Sequence, residues 1–205
     1  MTTVEFITAL FYEVDEQMRA MPKHPEAHLW PSEVVTLGLL HALKGVGNRA
    51  FYRWLTRDYR PLFPQLPERT RLFRLFRPHQ DWTQVFLAAP TVLGVIDTYG
   101  IELIHPMREG RSSQQIGRKG LSNHRWIVGG KLCQRGEWQD RMLVETVLSM
   151  LTLITHFKKV MHRVWTYFHA RLAFTMAAFN VLVQWHGFQP NASGFVPLSM
   201  AEFSL

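Results

Sequence analysis

Cysteine is almost missing from this chain: Cys133 stands alone among 205 residues. A single thiol excludes an intramolecular disulfide and any zinc site built from several cysteines. Uninterrupted apolar runs of membrane-spanning length are missing too. The apolar stretch from Val164 to Trp185 is broken by His169, Arg171, Asn180 and Gln184, which argues against a membrane span. The opening residues, Met1-Thr2-Thr3-Val4-Glu5, carry no basic segment followed by an apolar one. Secretion is therefore not expected, and a soluble cytoplasmic protein is. There is no nucleophile elbow, Walker loop, dinucleotide fingerprint, internal repeat or low-complexity tract. Histidine offers no obvious ligand set. His24 and His28 have helical spacing but enclose Pro25, and His105, His124 and His156 are scattered.

Positive charge is what the chain has in excess. A formal net charge of +7 and a pI near 9.9 favour a polyanionic partner over an acidic-surface role. The length allows one medium domain or two small ones. Residues 1–90 read as short helices. Phe6, Leu10, Val14 and Met18 have helical spacing. Pro31-Ser32-Glu33 opens a second helix, with proline in the first turn and a carboxylate at the positive end of the dipole. That helix stops at Gly45-Val46-Gly47, a third runs from Arg49 to about Arg57, and a short one lies around Arg69 to Phe76.

After Pro90 the period changes. Val92 to Ile96 is apolar on both faces, as in a covered strand. Thr98-Tyr99-Gly100 is expected to turn the chain into a second strand, Ile101 to Ile104, and Trp126 to Leu132 forms a third. A polar, basic loop is expected between them, from Met107 to Asn123. Beyond Gly136 the pattern is helical to about Trp185, as two helices separated near His156 to Val160, and 187–205 reads as a loose tail.

Two arginine stripes stand out in the front module. Arg49, Arg53 and Arg57 recur every fourth residue, and Arg71, Arg74 and Arg77 every third. A helix pair joined by a glycine turn, with arginines along its second member, suits contact with a DNA backbone or groove. Such a stripe also serves to keep a surface solvated; two of one sign in a small module tilt the balance to DNA. The loop from Arg108 to Gly120, with Arg108, Arg111, Arg118, Lys119 and three glycines, lets amides and cations approach a phosphate. Asp97 follows the buried run, where a carboxylate can equally cap a turn. Glu145 lies four residues after Arg141, where a surface ion pair is the ordinary outcome.

Three segments together resemble DDE transposases of bacterial insertion sequences. They are Gly94-Val95-Ile96-Asp97-Thr98, the stretch from Gln115 to Trp126 containing Lys119-Gly120-Leu121-Ser122-Asn123-His124-Arg125, and Asp140 to Val147 with its Arg141-x-x-x-Glu145 spacing. With the front module the likeness extends to about Trp185. It implies an α/β, helix-rich chain: a DNA-binding helical module at 1–90, then a truncated RNase H-like catalytic domain at 91–186, with a three-stranded meander and C-terminal helices. It also implies Asp97 and Glu145 as catalytic and metal-binding carboxylates, and two Mg²⁺ ions that activate water and a 3′-hydroxyl. Basic residues, Arg125 and Arg141 included, would contact double-stranded DNA at the element's terminal inverted repeats, in a chain able to form homo-oligomers.

The chain departs from that pattern. Trp138 and Thr152 stand where relatives often have tyrosine and lysine. The strand carrying the middle aspartate has no room: Leu132 to Glu137 is too short for a crossover and a strand. Asp140 belongs to the glutamate helix. An in-frame deletion with its seam near Cys133-Gln134 is the expected origin. Two carboxylates offset little of the repulsion between two divalent ions roughly 3.5–4 Å apart, so the chain alone is not expected to cut DNA. A non-catalytic DNA-binding remnant or transposition repressor is the alternative, and a generic helical interaction protein the third reading.

Overall fold

The computed structural model describes residues 1–87, 98–104, 118–122, 125–133, 141–157 and 164–186; between 98 and 146, and at 186, the description is of the backbone. Six helices occur among these residues: α1 (Thr3–Gln17), α2 (Pro31–Lys44), α3 (Asn48–Asp58), α4 (Arg69–His79), α5 (Arg141–Thr155) and α6 (Trp165–His186). Three strands, β1 (Thr98–Ile104), β2 (Arg118–Ser122) and β3 (Arg125–Cys133), complete the regular elements, with short 3₁₀ segments after α3 and α4. The chain divides into two compact units, Met1–Leu87 with Ala170–Leu205, and Ala88–His169.

The first unit is built around α2. Its start follows local rules: Pro31 occupies the first turn, and the Glu33 carboxylate accepts the Trp30 amide at 2.7 Å. Its end is Gly45, whose φ of 64° is a left-handed conformation that suits glycine. From Val34 to Leu43 every residue is buried, and a helix apolar all round belongs in a core. Helices α1, α3 and α4 pack on it. The α1 start is a reciprocal capping box between Thr2 and Glu5, which holds the exposed Glu5 carboxyl below its usual range, chiefly through the Thr2 amide. Asp15 of α1 accepts the Ser32 hydroxyl at 2.7 Å, pinning the two helix ends together.

Helix α6 closes this unit from 130 residues away. The Arg171 guanidinium donates to the His41 carbonyl at 2.6 Å and the Ala42 carbonyl at 3.4 Å, both at the negative end of α2. Phe174 lies against Gly38, where any Cβ would overlap its ring. Phe174 also meets Phe76 at 5.4 Å, and Trp185 meets Phe6 edge-on at 5.7 Å. Between α2, α3 and α4 the His41 ring is surrounded by Phe51, Phe73 and Phe76 at 4.9–6.0 Å, and its Nε2 donates to the Val46 carbonyl at 3.1 Å.

In the second unit the strands are antiparallel in the order β1-β3-β2. Ser122 pairs with Arg125, so β3 folds straight back on β2 and takes β1 on its other edge, with Thr98 opposite Cys133. Helix α5 ends at Thr155, and His156 after it has a positive φ of 50°.

The expected α/β class, a truncated RNase H-like domain with a three-stranded meander, is corrected here. Wherever side chains are described, all regular structure is helical, which overturns the α/β expectation for those residues. The three strands do not form a meander, because β2 separates β1 from β3 in sequence while β3 separates β1 from β2 in space. Thr98-Tyr99-Gly100, expected as a turn, is the first half of β1. Arg118 to Ser122, expected as loop, is β2. The run Val92 to Ile96 lies outside the described residues. Among the described residues no helix is long and apolar enough to cross a membrane.

Candidate nucleic-acid interface

Helices α3 and α4 are short, and each divides sharply into two faces. Phe51 and Leu55 of α3 and Leu72, Phe73 and Phe76 of α4 are buried, while Arg49, Arg53, Arg57, Arg71, Arg74 and Arg77 are all exposed. Burial of the apolar stripe against α2 therefore forces the arginine stripes outward. The two helices touch through Phe51 and Phe73, whose ring centroids are 6.3 Å apart, and the Tyr52 hydroxyl of α3 donates to the carbonyl of Pro67, just before α4, at 3.0 Å. Arg60 in the 3₁₀ turn Arg60–Leu62 and Arg69 at the start of α4 are exposed as well. Neither belongs to a periodic stripe, so spacing passed over them.

From Asn48 to His79 there are eight arginines against two acids, Asp58 and Glu68. Both acids are already engaged. Asp58 receives two bonds of 2.7 Å from the Arg57 guanidinium, which lower its carboxyl below the usual range and raise Arg57 above its own. Glu68 caps α4 by accepting the Arg71 amide at 3.1 Å. Among the described residues no ion pair neutralises Arg49, Arg53, Arg60, Arg69, Arg71 or Arg74. Helix α1 has the opposite character, with Glu5, Glu13, Asp15 and Glu16 and no cation. The positive charge of the first unit is thus gathered on α3, α4 and the link between them.

No family model, curated protein or solved structure matches the chain. The remaining expected site residues are placed as follows. Arg108, Arg111 and Asp97 lie outside the described residues. Arg118 and Lys119 open β2, Arg125 opens β3, and Arg141 and Glu145 are the first and fifth residues of α5; for all five the backbone alone is described. Among the described residues no three His, Cys, Asp or Glu side chains form a group able to hold a metal.

Proposed function

We propose that the chain binds double-stranded DNA through the arginine surface of α3 and α4, as a transposase-derived protein that occupies the ends of its element. The observation that carries this reading is the set of eight outward arginines on α3, α4 and the link between them, six of them without an acidic partner among the described residues. Guanidinium groups on exposed helix faces contact phosphates, fix the protein's orientation on a duplex and release condensed counterions. Contacts of this kind give affinity with little sequence preference. Preference for particular ends would need additional base contacts.

Gel retardation tests the proposal. The probes are the repeats flanking the protein's own gene and an unrelated duplex of equal length, each at about 50 mM salt with EDTA. Retardation that disappears when Arg49, Arg53, Arg71 and Arg74 are together changed to glutamine is the expected result. No retardation, or retardation indifferent to those four changes, contradicts it. A second reading, phosphodiester cleavage and strand transfer by Asp97 and Glu145 with Mg²⁺, is favoured by their motif contexts in the sequence. Replacing EDTA by Mg²⁺ tests it: a nick at the repeat termini supports an enzyme, and intact DNA supports the non-catalytic form.

A further inference from the structure

Within the first unit, the segment that joins α1 to α2 and the flank of α4 enclose a cavity of about 300 Å³. Its polar lining is His24, Glu26, His28, Arg71 and His79; the rest is mostly apolar. This is the lower end of the size range for small-molecule sites, and an apolar wall with a few convergent polar groups is their usual make-up. Arg71 belongs at once to the cavity and to the outward arginine surface, so the cavity opens beside the proposed DNA-binding face.

We propose that this cavity is a binding site for a phosphate monoester. Arg71 has no carboxylate partner among the described residues, and its planar fork matches two oxygens of a phosphate. His24 accepts the Glu26 amide at Nδ1 (3.3 Å), which leaves Nε2–H of that ring as a donor. His79 donates from Nδ1 to the Leu75 carbonyl at 2.7 Å and meets Trp82 edge-on at 4.6 Å, so its ring is held in one orientation. Glu26 is the single acid in the lining, and its carboxylate repels an anion, so the phosphate is held by Arg71 and the His24 Nε2–H and kept away from Glu26. A monoester carries roughly −1.5 to −2 charges and three acceptor oxygens, enough to engage both donors at once. An internal DNA phosphate is flanked by sugar on both sides and passes across the mouth of a cavity. A terminal phosphate, tethered on one side, can enter it.

The alternative chemistry is a metal ion, since imidazoles and a carboxylate are metal ligands. The described residues include no group of three placed to hold one, and the Arg71 cation opposes it.

Two sources can deliver the ligand: a small phosphorylated molecule, or the phosphorylated end of a DNA strand. Delivery on DNA rests on the function proposed above; binding of a small monoester does not. The test begins with imidazole NMR spectra of the full chain titrated with phenyl phosphate at constant ionic strength. Saturable shifts of His24 and His79 are expected, with affinity weakened at least about tenfold by Arg71→Gln and unaltered by Arg19→Gln. Absence of saturable shifts, or shifts with Zn²⁺ alone, overturns the proposal. The second arm compares a 5′-phosphorylated duplex with its 5′-hydroxyl twin. Tighter binding of the phosphorylated duplex, lost in Arg71→Gln, supports the site with a DNA end as its source. Equal affinity beside phenyl phosphate binding supports it with a small molecule as its source. Failure to bind either duplex refutes the DNA reading, and the phenyl phosphate titration still decides the cavity.

Discussion

Replacing Arg171 by alanine probes the contact that ties α6 to α2. The residue is 7% exposed, and burial pulls its pKa well below the usual guanidinium range, to about 10, so it remains charged at neutral pH. At about 1.4 kcal/mol per pKa unit, that depression corresponds to a burial penalty of roughly 3 kcal/mol. Against it stand two charge-assisted bonds to carbonyls, about 1.5–3 kcal/mol each, and up to about 2 kcal/mol from the negative end of α2. Alanine removes these gains, relieves the penalty, and leaves a void where a long side chain packed. The lost bonds and the void together outweigh the relieved penalty and place the net loss at about 3 kcal/mol. Methionine at the same position fills the space without a charge, and the His41 carbonyl keeps its bond from the Gly45 amide at 3.3 Å. Arg171→Met should therefore cost about 1 kcal/mol. Urea unfolding followed by tryptophan fluorescence measures both. An alanine variant within 0.5 kcal/mol of the parent, or a methionine variant less stable than the alanine one, would refute this account.

Three further outcomes are expected. Gly38→Ala gains about 0.5–1 kcal/mol of helix propensity but drives a methyl into the buried Phe174 ring, an overpacking cost of about 1–3 kcal/mol, so its urea midpoint should fall and Phe174→Leu should restore it. Thr36 is fully buried and its hydroxyl has no hydrogen-bond partner among the described residues, so Thr36→Val should raise stability by about 1 kcal/mol; a lower melting temperature would show a missed partner. His79 is pushed below its ordinary value of 6.5 by burial. The unfolded chain then takes up the proton more readily than the folded one, so stability falls as pH drops from 6.5 through the lowered value. His79→Gln should flatten the unfolding profile between about pH 5 and 7, and an unchanged profile counts against a buried neutral imidazole.

Helix α2 was legible because its ends are chemical signals: Pro31 and Glu33 at the start, Gly45 at the stop. The outward turn of Arg49, Arg53 and Arg57 was legible because Phe51 and Leu55 lie off their line. The partnership of Arg171 with His41 and Ala42 was not. In the sequence Arg171 argued against a membrane span, and nothing local announces that a charge is bound to a helix end about 130 residues earlier. Strand order escaped for a different reason. Arg118 to Ser122 is basic and contains glycine, so its side-chain pattern suggests loop, whereas pairing with β3 is made by backbone groups that every residue carries. The cavity went unread because His24, Arg71 and His79 converge only after α4 has packed beside the segment before α2.

The salt dependence of duplex binding tests the central claim most directly. Between about 50 and 200 mM salt, log Kobs should fall linearly with log salt, and each phosphate-contacting arginine contributes about 0.9 to the slope. Changing Arg49, Arg53 and Arg74 to glutamine together should reduce the slope by about 2–3 while leaving the urea midpoint in place. A slope that stays the same while affinity is retained would contradict the claim that α3 and α4 form the DNA-binding surface.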